Sequence, residues 1–211
     1  VIRWLYGRPL ETLLATWGIS LILMQAVRSV FGAQNVPVEN PSWLSGGVQV
    51  LPNLTLPYNR IAILVFAALV LAAVALLIAR TRLGLFVRGV TQNRRMAACM
   101  GVNTARVDTW AFALGAGLAG LAGCALSQIG NVGPDLGQSY IVDSFMVVVL
   151  GGVGQLWGAV VAGLGLGVLT KLFEGWQGAV LAKIMVLVLI VLFIQKRPSG
   201  IFALKGRSAD A

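Results

Sequence analysis

Long apolar runs alternate with short polar connections along the chain, and this pattern predicts most of its architecture. A helix needs about twenty apolar residues, at about 1.5 Å each, to cross the hydrocarbon core of a bilayer. In chain order the predicted helices cover Thr12–Phe31, Ile61–Ala79, Trp110–Ile129, Tyr140–Leu150, Trp157–Thr170 and Ala179–Gln195. The pattern therefore predicts an all-α fold: one polytopic membrane helix bundle over residues 1–211, with about six transmembrane or re-entrant helices.

The connections carry their own signals. Tyr140–Leu150 and Trp157–Thr170 are each short for a full crossing, so two tilted helices and a paired re-entrant element are both compatible with the pattern. Gly151-Gly152-Val153-Gly154 separates these two helices, and another turn is expected at Gly175–Gly178. Gly32–Asn59 holds four prolines and no Lys or Arg. It predicts an external loop, with a short hairpin around Gly46-Gly47.

Between Arg80 and Asp108 the chain carries six arginines and no lysine, histidine or glutamate. Arginine costs about 2.5–3.5 kcal/mol at the centre of a membrane helix, so this segment is expected outside the bilayer and, by the positive-inside rule, in the cytoplasm. With six crossings, every cation-rich segment falls on that side. The stretch from Gln92 to Met100 predicts a short amphipathic helix with Asn93 as N-cap and Gly101 as its stop, or alternatively a solvated basic loop.

Composition narrows the class of protein. The chain has 58% hydrophobic and 11% charged residues, against about 25% charged in soluble domains, which indicates an integral membrane protein. The net charge of +9 lies in short juxtamembrane clusters, so it indicates membrane topology and not nucleic-acid binding. There is no histidine, no Gly-Lys dipeptide and only two cysteines. The sequence therefore predicts no enzyme activity, no cofactor and no metal.

Small residues recur at every fourth position in two predicted helices. Such rows let helix backbones approach closely in lipid. Ordinary helix packing would explain these rows, and so would faces that slide against neighbouring helices during a transport cycle. The sequence is compatible with both. The rows are Ala111, Gly115, Ala119 and Gly123, with Ala116, Gly120 and Cys124 beside them, and then Ala159, Gly163 and Gly167.

A few polar residues are candidates for a translocation pathway. Asp143 lies in the first turn or two of its predicted helix, where an ionisable residue is a functional candidate, although capping of the helix N-terminus would also favour an acid there. Ser127, Gln128 and Asn131 end the third span at the same predicted face. Together with Asp143, they predict a polar external vestibule.

The remaining charges near the membrane are expected to be structural. Lys171 and Glu174 should pair across a turn at the surface, while Lys183 and Arg28 should reach outward to the interface. No charge is expected at mid-membrane with a clear partner, and coupled carriers usually need such groups. The pathway therefore suits a small or net-neutral solute, with the energy supplied by another subunit.

Three motifs resemble a known family. Arg88-Gly-Val-Thr-Gln-Asn-Arg-Arg-Met-Ala-Ala-Cys-Met-Gly-Val-Asn103 is similar to the cytoplasmic coupling segment of branched-chain amino acid family permeases of ATP-binding-cassette importers. The run from Leu150 to Gly163 is similar to the family's glycine-rich motif, and Lys196-Arg-Pro-Ser-Gly-Ile-Phe202 to its ending. One departure stands out: Arg95 and Met96 occupy the positions of a common Glu-Ala in such coupling helices.

The resemblance implies a transport subunit in the bacterial plasma (inner) membrane, without enzyme activity of its own. Its implied partners are cassette ATPase subunits, a second permease subunit, a periplasmic or extracellular solute-binding protein and the lipid bilayer. Residues 80–109 would form the coupling segment. The residues implied to couple to the ATPase are Arg88, Gln92, Asn93, Arg94, Arg95, Ala97 and Gly101.

The substrate is less closely defined by the resemblance. Leu5–Leu21 looks most like the urea permease branch, which implies urea as the solute, while amino acid permeases share a similar core with a different lead-in. A branched-chain amino acid permease is thus the alternative, and a passive channel or secondary carrier for a neutral solute is another. The start at Val1, without methionine, suggests the C-terminal part of a longer chain.

Overall fold

A computed structural model describes residues 7–52, 54–152, 154–197 and 200–201. Lys205 and Arg207 of the basic tail, Phe202 of the ending motif and Val153 of the glycine-rich motif lie outside these residues. The described helices are α1 (Pro9–Phe31), α2 (Tyr58–Arg80), α3 (Arg82–Gln92), α4 (Arg94–Cys99), α5 (Thr104–Leu126), α6 (Leu136–Gly151), α7 (Leu156–Gln177) and α8 (Ala179–Lys196). The predicted all-α class is confirmed.

Five of these helices, α1, α2, α5, α7 and α8, are long and apolar enough to cross a membrane. Helix α6 is also apolar but has 16 residues, a length of about 24 Å against a hydrocarbon core of about 30 Å. The prediction of a polytopic membrane bundle is thus confirmed. The chain divides into two compact units, the first ending at Asp135 and the second beginning at Leu136.

In the first unit, a hairpin follows α1 in the predicted external loop. Strands β1 (Gly47–Leu51) and β2 (Leu54–Pro57) pair antiparallel, with Gly47 opposite Pro57. The predicted hairpin is present, but Gly46-Gly47 open its first strand instead of forming its turn. The Tyr58 backbone N–H donates to the Gly46 carbonyl at 2.8 Å, which attaches the base of the hairpin to the start of α2.

The second unit contains the most closely packed helices. Helix α7 packs against both α6 and α8. Its close contact is made possible by glycine: a Cβ at Gly158 would lie 2.1 Å from the Gly151 carbonyl oxygen. The buried side chains of this core are Met146, Leu150, Ala162, Leu166, Val186 and Ile190.

The predicted rows of small residues are not the residues that make the helix contacts in the structure. On α7 the buried row is Gly158, Ala162 and Leu166, one position before the predicted row, whose Gly167 is exposed. On α5, a Cβ at Gly115 or Gly123 would meet no atom of the described residues within 4 Å. Gly115 and Gly123 therefore mark no close helix contact within the described part of the first unit.

Helix α7 continues seven residues past its predicted end at Thr170. Lys171 and Glu174 form the predicted ion pair, at 2.7 Å, but along the helix surface. The predicted turn begins only at Gly178, whose φ of +85° is readily adopted by glycine. Since α7 is about 33 Å long, it is long enough to cross the bilayer, so the re-entrant alternative is not needed for it.

The ends of α6 and α8 lie on the same side of the second unit. The Ile201 backbone N–H donates to the Leu150 carbonyl at 2.9 Å. A Cβ at Gly200 would lie 2.8 Å from the backbone nitrogen of Gly152, so only glycine fits there. Gly200 and Ile201 are thus attached to the turn between α6 and α7.

Candidate functional site

The predicted coupling segment contains a helix that the sequence pattern did not reveal. Helix α3 runs over Arg82–Gln92 and packs against α2 and α5. Val90 is buried and Val87 is half-buried, while Arg88 is exposed. A Cβ at Gly84 would lie 1.9 Å from the Ile78 carbonyl oxygen. Glycine at this position therefore allows α3 to fold back onto the end of α2.

Helix α4, at Arg94–Cys99, is the predicted amphipathic helix. Its predicted N-cap and stop are confirmed, but Gln92, predicted as its first residue, ends α3 instead. The Asn93 side-chain oxygen accepts the Met96 backbone N–H at 3.1 Å, as an N-cap does. At the other end, Gly101 has φ +82°. Its N–H donates to Ala98, and the following N–H, of Val102, to Ala97. This is the Schellman arrangement that ends helices at glycine.

An ion pair connects α4 to α5. The Arg94 guanidinium donates to the Asp108 carboxylate in the second turn of α5. Helix α5 is itself capped by Asn103, whose side chain accepts the Arg106 backbone N–H at 3.2 Å. Arg94, predicted to contact an ATPase, thus also holds α4 against α5, a contact that the sequence did not suggest.

The remaining surface of α3 and α4 combines cations with exposed apolar side chains. Leu85, Met96 and Met100 are 69%, 66% and 81% exposed. Arg88 and Arg95 are also exposed and take part in none of the ion pairs among the described residues. Methionine and arginine are enriched at protein interfaces. We call this surface, formed by these five residues, the coupling face.

The other predicted coupling residues surround this face. Gln92 is the last residue of α3, and Asn93 separates α3 from α4. Gln92, Asn93 and Gly101 are exposed, and Ala97 is half-buried. The structure therefore brings the predicted set together on two short, consecutive helices.

A second polar cluster lies where the predicted external loop meets the end of α5. The Asn59 side-chain amide donates to the Gln128 backbone carbonyl at 2.6 Å and to the Asn40 side-chain oxygen at 3.1 Å. A cavity of 280 Å³ opens here. Its polar lining residues are Asn40, Ser45, Asn59, Arg60 and Gln128, and we call it the outer amide pocket.

Of the predicted pathway residues, only Gln128 lines this pocket. Ser127 donates to the Cys124 carbonyl at 2.7 Å within its own helix turn, and Asn131 is exposed. Sequence reasoning missed Asn59 and Arg60, which open α2. Their position at the start of a membrane helix was the available signal, since polar side chains there face the interface.

Asp143 occupies a different environment from the one expected. It is the eighth residue of α6, two turns past the helix start, so it does not cap the N-terminus. Its carboxylate lies 3.2 Å from the Lys183 ammonium on α8. The expectation that Lys183 reaches outward is therefore wrong, because its ammonium faces Asp143. The expectation that no charge at mid-membrane has a clear partner stays a prediction. The predicted vestibule that joins Asp143 to Gln128 stays a prediction.

Arg28 also has a partner. Its guanidinium lies 2.6 Å from the Asp135 carboxylate, within the first unit. The two side chains are 40% and 58% exposed, so this ion pair contributes little to stability, about 0–1 kcal/mol. It connects the end of α1 to the loop that follows α5.

A family model and individual relatives all match this chain to the same family of permeases. The family model of the permease component of branched-chain amino acid transport systems matches residues 1–194. The high-affinity branched-chain amino acid transport permease LivH of Salmonella typhimurium is 28% identical over 92% of this chain and 64% of its own length. BraD of Pseudomonas aeruginosa, a permease of the same description, is 29% identical over the same shares.

A more distant relative, the probable LivH permease of Methanocaldococcus jannaschii, is 26% identical over 90% of this chain. No solved structure matches the chain. The chain spans about 64% of the length of the curated relatives named first. The matched region includes nearly every described helix, and the chain belongs to the family of permease components of branched-chain amino acid transport systems.

Proposed function

We propose that this chain forms part of the transmembrane pathway of an ATP-binding-cassette importer. It lies in the inner membrane as a multi-pass subunit, and a separate partner hydrolyses ATP. A second permease subunit and a solute-binding protein complete the proposed assembly. The family match supports this proposal, and the exposed coupling face offers a surface for the ATPase.

The coupling face suits a protein partner. Exposed apolar side chains lie here beside Arg88 and Arg95, which form no ion pair within the described part of the chain. Exposed apolar patches mark interaction sites. Hydrogen bonds stabilise both ends of α4, and the ion pair between Arg94 and Asp108 links it to a membrane helix. A push on α4 would therefore reach α5 directly.

The test of coupling uses an Arg95→Glu/Met96→Glu double variant in the complete importer in proteoliposomes. Both residues lie on the coupling face, whereas Arg94 is avoided because its loss would also release α5. We expect ATP-driven uptake to fall at least about tenfold, which corresponds to about 1.4 kcal/mol of lost coupling. Co-purification of the ATPase should weaken as well.

Arg106→Glu is the matched control. Arg106 is exposed on the first turn of α5, outside the coupling face, so its reversal should leave uptake close to normal. If the double variant retained its ATPase and its uptake, the coupling assignment would be wrong. Uptake without any ATPase would instead support a passive channel.

For the solute, branched-chain amino acids are the first candidate, since the relatives carry that description. Urea is the second, and the outer amide pocket favours it: urea is neutral and hydrogen-bonds through groups that match amide side chains. Uptake of radiolabelled leucine and urea by the complete importer distinguishes the two. Each solute should compete only with its own chemical class.

A further inference from the structure

The ion pair between Asp143 and Lys183 lies along two apolar helices of the second unit. Asp143 is the eighth of the 16 residues of α6, and Lys183 is the fifth of the 18 residues of α8. Asp143 is the only charged residue on α6, and the other charge on α8 is Lys196 at its far end. Charged residues inside apolar membrane helices are rare, and each is a candidate for function.

The pair leaves much of the bonding capacity of both groups unused. Its contact joins Asp143 Oδ2 to Lys183 Nζ at 3.2 Å. Within the described part of the chain, neither side chain has another hydrogen bond or ion pair. A carboxylate can accept about four hydrogen bonds, and an ammonium can donate about three. Most of these positions are therefore left for water or a bound molecule.

The unused positions are open to the surroundings of α6 and α8. The Asp143 and Lys183 side chains are 41% and 49% exposed, so a molecule beside the two helices can reach both charges. In a bilayer, charged side chains almost always face the interior of a bundle or a water-filled cavity. A lipid tail has no polar atom to fill the unused positions. The face that carries the pair is therefore expected to meet water or solute.

The chemistry of the pair selects among solutes by charge. A cation would be repelled by Lys183 and an anion by Asp143. A zwitterion such as an α-amino acid can place its ammonium on Asp143 and its carboxylate on Lys183 at the same time. Hydrogen bonds between ionised groups are about twice as strong as those between neutral groups. Urea is neutral and could use the same positions only more weakly.

We infer that Asp143 and Lys183 line a water-filled part of the solute pathway and bind a small zwitterion there. Asp143 accepts hydrogen bonds from its ammonium, and Lys183 donates to its carboxylate. When the site is empty, the two side chains pair with each other, so neither charge is left alone on its helix. The inference rests on the proposed function and names the chemical class of its solute.

The test labels positions beside the pair and leaves both charges in place. Tyr140 lies one turn before Asp143 on the same face of α6, and Phe145 lies on the opposite face. Each is replaced by cysteine in the complete importer after Cys99 and Cys124 are changed to serine. A charged thiol reagent is then added outside proteoliposomes. Tyr140→Cys should react at least about tenfold faster than Phe145→Cys, because the reactive thiolate is disfavoured in apolar surroundings.

Protection by solutes identifies the class of ligand. Leucine at about ten times its Kd occupies about 90% of the sites, so labelling of Tyr140→Cys should slow about tenfold. Three compounds should protect far less at that concentration: urea, leucinamide, which lacks the carboxylate, and 4-methylpentanoate, which lacks the ammonium. Equal labelling of Tyr140→Cys and Phe145→Cys overturns the water-filled face. Labelling that leucine does not slow, or equal protection by any of the three compounds, overturns the zwitterion site.

The Asp143→Asn/Lys183→Met double variant assigns the protection to the pair. It removes both charges together, so neither is left without a partner. In this variant Tyr140→Cys should still be labelled, and leucine should no longer protect it. Protection that survives the double variant overturns the assignment. If Tyr140→Cys does not assemble, Leu187→Cys, one turn after Lys183 on α8, should show the same pattern.

The labelling requires neither ATP nor the solute-binding protein. Failure of the site is therefore distinguishable from failure of the proposed function. ATP-driven leucine uptake by an importer in which leucine protects neither cysteine overturns the site alone. Protection without any ATP-driven uptake keeps the site and refutes the importer.

Discussion

The ion pair between Asp143 and Lys183 gives the sharpest energetic prediction. It joins α6 to α8 at 3.2 Å, and Coulomb's law at an effective dielectric constant of about 20 gives a gross attraction of about 5 kcal/mol. Side-chain exposures of 41% and 49% reduce the net value. A single unpaired Asp or Lys costs about 2.5–3.5 kcal/mol at the centre of a membrane helix.

We therefore expect Asp143→Asn and Lys183→Met each to lower the free energy of unfolding by about 2–3 kcal/mol, since each leaves one charge unpaired in the membrane. The double variant leaves none and should lose less than about 1 kcal/mol relative to the original chain. The coupling energy of the double-mutant cycle should then be at least about 3 kcal/mol.

Reversible unfolding in bicelles, followed by tryptophan fluorescence, measures these four proteins. Lys171→Met is the matched control, because Lys171 forms an exposed ion pair along a single helix and should cost no more than about 0.5 kcal/mol. Additive effects of the two single substitutions, within about 0.5 kcal/mol, would refute the reasoning.

Two further predictions concern helix ends and close packing. Asn93→Ala should destabilise α4 by about 1 kcal/mol through loss of its N-cap; hydrogen exchange of the α4 amides should rise by about fivefold, and unchanged exchange would contradict the cap. Gly158→Ala places a methyl group 2.1 Å from the Gly151 carbonyl oxygen, so it should lower the unfolding free energy by more than about 2 kcal/mol, as measured by the same unfolding assay. Gly167→Ala, which meets open space, should be tolerated, and equal losses at both positions would speak against the close contact.

Local signals predicted the elements that depend only on nearby residues. Apolar length identified the membrane helices, and the positions of Asn93 and Gly101 gave both ends of α4. Helix α3 was missed because its arginines resemble a solvated loop. Its signal was the spacing of Leu83, Val87 and Val90, which places three apolar side chains on one helical face.

Contacts between distant residues could not be predicted in this way. Asn59 and Gln128 are 69 positions apart, and the Asp143–Lys183 pair depends on how α6 and α8 are aligned by α7 between them. That alignment depends on the close approach of Gly158 on α7 to the backbone of Gly151 on α6. If the contact row of α7 were displaced by one residue, a different face of the helix would be buried. A single sequence does not contain the register of these helices.

Helix α5 has a mechanical consequence of its own. It holds Asp108, the partner of Arg94, in its second turn, and Gln128 follows two residues beyond its other end. A stiff rod of 23 residues is about 34 Å long, so a tilt of about 5° moves its far tip by about 3 Å. A shift of this size is enough to break the hydrogen bond between the Asn59 amide and the Gln128 carbonyl, whose donor–acceptor distance is 2.6 Å. In the proposed importer, a push by the ATPase on α4 would thereby change the outer amide pocket at the other end of α5.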